Sequence, residues 1–131
     1  MNLDMFTDDN YFAEESILSI IEDYKAQRVL EKETRRKHAE EWDKFKRRMY
    51  DMRSKDPEIR RRVAKLDKMA YTFYESDYYD DNAEARAVAR IRKEINELAD
   101  IFYNDKHRPK WVEREYIYEF ITNDLIYNDD Q

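Results

Sequence analysis

Glycine does not occur once in the 131 residues of this chain, where ordinary usage of roughly 7% would supply about nine. A phosphate-binding P-loop, a dinucleotide fingerprint and a G-x-S-x-G nucleophile elbow each need a residue that tolerates positive φ or close backbone approach. None of the three can be built here. Tight type I′ hairpins are disfavoured for the same reason, which argues against a β protein. Cysteine is also absent, so there is no disulfide, no thiol nucleophile and no zinc-thiolate site. The N-terminus is acidic without a basic stretch, and no apolar run approaches the 18 residues of a membrane span. A soluble, cytoplasmic protein with no membrane partner is the expectation.

Histidine is nearly missing too. The two present, His38 and His107, are preceded three residues earlier by Arg35 and Asn104, so the Glu-x-x-His pattern of a di-iron bundle fails at both. Their Lys/Arg-rich neighbourhoods offer no evident orienting carboxylate for a catalytic triad. With 43% of residues charged, paired carboxylates are too common to inform. We expect no catalytic residue, no metal ligand and no cofactor-binding residue, and therefore no enzyme.

What the chain does contain is helical pattern. Leu, Ile, Val and Phe number 26, few for a globular domain, but eleven Tyr, two Trp and five Met restore apolar area. Ala13, Ile17, Ile20, Ile21 and Tyr24 fall on one helical face after the capping-type cluster Thr7, Asp8, Asp9 and Asn10. Trp42, Phe45, Met49 and Met52 resume that seam after a polar stretch, with no breaker between residues 11 and 53. Asp56, Pro57 and Glu58 read as an N-cap, first helical position and favourable charge for a second helix. Its seam is Ile59, Val63, Leu66, Ala70 and Phe73. Asn82 is the expected cap of a third helix, with Val88, Ile91, Ile95, Leu98 and Phe102 as its seam. Arg108 and Pro109 are expected to open a fourth, carrying Val112, Tyr116, Ile117, Phe120, Ile121 and Leu125. The fold expected is all-α, an elongated bundle of about four helices with a long first helix. A flexible tail over 1–9, a single helical domain over 10–127 and an acidic tail over 128–131 complete the division.

Charge is segregated beneath the net −6. Residues 1–24 carry seven acidic and no basic side chains, residues 25–68 carry 17 basic and 9 acidic, and residues 69–131 carry 8 basic and 15 acidic. In the basic middle, Lys44, Arg47, Arg48, Arg61 and Arg62 are the candidate nucleic-acid contacts, interleaved with Trp42, Phe45 and Tyr50. Against this, Glu40–Lys44, Asp43–Arg47 and Glu58–Arg62 are spaced for internal helix pairs. The acidic-aromatic runs at 71–81 and 116–130 read as amphipathic helix followed by solvated linker or tail. Tyr and Trp are also enriched in protein interfaces.

One motif stands apart. Asn2, Leu3, Asp4, Met5 and Phe6 resemble the short peptide with which many proteins bind the bacterial-type DNA sliding clamp, with Asn2 where the pattern has Gln. The resemblance implies that Leu3 and the Met5–Phe6 pair enter an apolar cleft, that Asp4 holds the turn and that the Asn2 amide bonds the rim. The ordinary alternative is a hydrophobic staple of Met5 and Phe6 on Phe12 or Ala13. In composition the chain is similar to small phage accessory proteins of replication and transcription. From the resemblance we expect a non-enzymatic helical adaptor or regulator with a protein partner, a sliding clamp or RNA polymerase. The alternatives are a nucleic-acid-binding protein using the basic middle and a small inhibitor of a host protein. Oligomeric state is left open by the sequence: the first helix, with its interrupted seam, has either a second copy or the target as its expected partner.

Overall fold

The computed structural model describes the backbone of residues 10–77 and 80–126 and the side chains of 16–77 and 80–126. Within them the chain is all-α, with four α-helices and no strand. The first, α1 (Asn10–Lys55), is one uninterrupted helix of 46 residues, as the absence of Gly and Pro from that stretch allows. Asp56 ends it and starts the next: its backbone N–H donates to the Met52 carbonyl at 2.9 Å. Its side chain accepts from the Glu58 and Ile59 N–H groups at 2.9 and 3.1 Å. With Pro57 at the first position, α2 (Pro57–Glu75) begins where cap chemistry demands.

The chain divides into two compact units, residues 1–40 and 41–131. In the first, every described side chain from Ser16 to Lys37 is exposed. The second holds the core. It gathers Phe45 and Met49 from residues 41–55 of α1, Ile59, Val63 and Leu66 from α2, and Ile95, Leu98, Ala99 and Phe102 from α3 (Asp81–Tyr103). Val112, Ile117, Phe120, Ile121, Leu125 and Ile126 close it from the C-terminal side. The pairs Arg62–Glu97 and Lys65–Glu94 run in opposite order along α2 and α3, which makes these helices antiparallel neighbours. The matched 3- and 4-residue seams meet as the spacing predicts. Phe73, Val88 and Ile91, at the far end of that pair, are half-buried.

Two expected boundaries move. Asp80, and not Asn82, caps α3, accepting from the Asn82 N–H at 2.9 Å; an Asp two residues earlier reaches the free N–H with less chain. The fourth helix does not open at Arg108 and Pro109. Residues 104–113 form turns, and α4 starts at Arg114 (Arg114–Phe120). The reason is Arg108 itself. Its guanidinium donates to the carbonyls of Tyr103 (2.6 Å), Pro109 (3.1 Å) and Val112 (2.7 Å), and stacks 4.0 Å from the Tyr103 ring. Those carbonyls are satisfied without a helix. A π-turn at Ile121–Leu125 then ends the helical path, and Arg53 from α1 donates to the Leu125 carbonyl at 2.8 Å.

Candidate partner-binding surfaces

Residues 2–6, the sliding-clamp resemblance, lie outside the described residues, as do the tails over 1–9 and 128–131. Two surfaces remain to be built from the residues upward, one in each unit.

In the first unit, Ile17, Ile20, Ile21 and Tyr24 follow the i, i+3, i+4, i+7 rule and share one side of α1. Their exposures are 54%, 65%, 42% and 59%. Leu18, Val29 and Leu30 are exposed beside them. Covering the exposed half of each such side chain is worth on the order of 1 kcal/mol. The Arg28 guanidinium sits 5.7 Å from the Tyr24 ring and marks where the stripe turns basic.

In the second unit, Lys44, Arg48, Asp51 and Lys55 succeed one another at 4-, 3- and 4-residue steps along α1, with Arg47 beside Arg48. They line an open groove of about 1030 Å³ whose far wall includes His107 and Pro109. The lining mixes signs: Glu41, Asp51 and Asp56 stand among the four cations, and Phe45, Met52 and Pro57 add apolar surface. Arg48 is committed to structure. Its Nε and Nη2 donate to the two oxygens of Asp105 at 2.5 and 2.9 Å, a fork-on-carboxylate pair joining α1 to the turn after α3. These bonds hold the Asp105 carboxyl below its usual range against opposing desolvation, helped by the His107 backbone N–H, and push the Arg48 guanidinium up.

The other candidate nucleic-acid contacts separate in the same way. Arg61 and Arg62 both bond Glu58, at 3.0 and 2.9 Å, and Arg62 also reaches Glu97 at 3.5 Å. Those two guanidinium bonds lower the Glu58 pKa. Asp43 pairs with Lys46, three residues on, instead of Arg47. Lys44 and Arg47 are exposed, and neither has a carboxylate within ion-pair distance among the described residues. The interleaved aromatics face inward: Phe45 is buried, while Trp42 and Tyr50 pack edge-on against Phe120 with ring centroids 6.0 and 5.2 Å apart. They serve as core, so a row of bases has no stacking platform here.

Sequence reasoning did not anticipate Arg108, Arg53 or Trp111, whose indole N–H donates to Glu41 at 3.1 Å. A cation next to Pro109 was the available signal for the first; no local pattern announces the other two. Among the described residues no three His, Asp or Glu side chains converge to hold a metal ion, and no helix is long and apolar enough to cross a membrane. No protein-family model, curated protein or solved structure matches this chain.

Proposed function

We propose that this chain is a non-catalytic, protein-binding adaptor or regulator. The reading is carried by the exposed apolar stripe of α1, from Ile17 to Tyr24, because a helix that leaves its apolar face in water is built to be covered. The residue 2–6 peptide adds an address. By its resemblance it takes the protein to a DNA sliding clamp, as an accessory factor of replication or transcription, where tethering raises the local concentration of whatever else the chain holds.

Capture on an immobilised bacterial-type sliding clamp tests the address. Wild-type protein is retained, and Leu3→Ala with Phe6→Ala abolishes retention without changing helicity or melting temperature. Equal retention of both forms, or none of either, overturns it.

Lys44 and Arg47 favour a second reading, direct nucleic-acid binding, since they lack internal ion pairs. Arg48, Arg61 and Arg62 are occupied, so two of the five candidate contacts remain available to phosphate. Two phosphate contacts give a log–log salt slope of about −2 on duplex DNA; a much steeper slope, lost on reversing both charges, makes this the better reading.

A further inference from the structure

We infer that two copies of this chain pair through residues 17–24 of α1 as an antiparallel, two-fold-symmetric pair of helices. The inference rests on reading the α1 stripe as a protein-binding face and specifies what covers it.

Two independent patterns point to a second copy. The first is the symmetry of the stripe. Ile17 stands three residues before Ile20, and Tyr24 three residues after Ile21, all on one exposed side of the helix. A half-turn about an axis crossing the turn at Ile20 and Ile21 carries the stripe onto itself. A second copy thus presents apolar side chains at the spacing the first requires, which defines a self-complementary interface. Ridge-into-groove packing at helix–helix distance closes it without further elements.

Charge supplies the second pattern and sets the direction. Positions 10–24 of the helix are Glu14, Glu15, Glu22 and Asp23 among uncharged residues, whereas positions 25–37 hold six cations, among them Lys25 and Arg28, against Glu31 and Glu33. Parallel pairing sets acidic half against acidic half and basic against basic. About the axis at Ile20 and Ile21 the antiparallel arrangement sets positions 14 and 15 of each helix beside positions 27 and 26 of the other, so Glu14 and Glu15 fall between the second copy's Lys25 and Arg28. An unrelated partner would need to match both the apolar spacing and the charge reversal. A second copy matches both automatically, and the pair then presents two residue 2–6 peptides to any multi-site partner.

Sedimentation equilibrium on the full-length chain tests the assignment. Wild type shifts with concentration from 16.3 kDa to twice that mass. Ile17→Ser with Ile21→Ser, both exposed and outside the core, weakens association by more than about 100-fold while helical signal and melting of the second unit persist. Orientation is read from spin labels on Thr34→Cys, a unique site because the chain has no other cysteine. Antiparallel pairing separates the two labels by about 40 Å, from 1.5 Å of rise per residue, and parallel pairing by about 10 Å. A monomer at every concentration overturns the inference. So does a dimer indifferent to the Ile17 and Ile21 changes, or a short label distance. Leu3→Ala with Phe6→Ala leaves pairing intact, so loss of the clamp address and loss of pairing are scored separately; pairing lost in that variant also overturns the assignment.

Discussion

Asp105 and Arg48 join α1 to the turn after α3, and their side chains are 8% and 36% exposed. The carboxyl titrates lower in the folded protein than its ordinary value of 3.8. Its contribution is therefore complete above that value and is lost as the pH falls through the lowered folded one. Asp105→Asn should cost about 1 kcal/mol at neutral pH, the low end for a charge-assisted bond because Arg48 is partly in water. Thermal melts at pH 7 and pH 3 check this: the gap between wild type and variant narrows in acid, and a gap that stays constant refutes the pair as its cause. Residue identity made Arg48 legible as a cation but not as a structural one. Its partner is 57 positions away, beyond any local pattern.

At the scale of elements, α2 and α3 were readable because their apolar residues keep a helical period and their starts carry cap chemistry. Asp56 accepts two backbone N–H bonds and Asp80 one. Asp56→Ala is expected to lower stability by about 1 kcal/mol and Asp80→Ala by less, measured by denaturant unfolding with unchanged m-value. The start of α4 was not readable. Arg108 takes carbonyls that helix continuation would have used, and a guanidinium with five donors can do so wherever the chain folds back around it. Likewise Trp42 and Tyr50 read equally as interface aromatics and as core until Phe120 is placed against them.

At the scale of the whole molecule, the buried core residues among the described ones come from residue 45 onward, while described side chains 16–37 are exposed. Deleting residues 1–40 should leave a cooperatively melting remainder, with Tm within roughly 3 °C of the full chain at dilute concentration, where self-association contributes least. Glu41, which accepts from Trp111, is retained in that deletion. A collapse of the transition would mean that the first unit supports the core. The same deletion removes the α1 stripe and the residue 2–6 peptide together, so binding functions assigned to them vanish while the fold stays.

The sequence by itself determined the all-α class, the cap at Asp56 and the α2–α3 seams, because each depends on interactions within a few residues: periodic apolar positions and side chains reaching nearby N–H groups; absent breakers allowed a long α1, and the structure showed it to be continuous. It also showed the charge reversal along α1, which needs only counting. Tertiary structure alone decided which parts of α1 are covered. Phe45 and Met49 are buried and Ile17 to Tyr24 are not, although both stretches show the same spacing. An apolar stripe states that something must cover it; which part of the chain does so depends on contacts between residues far apart in sequence. The same reason took Arg48, Arg61 and Arg62 out of the pool of free cations and left Lys44 and Arg47 in it.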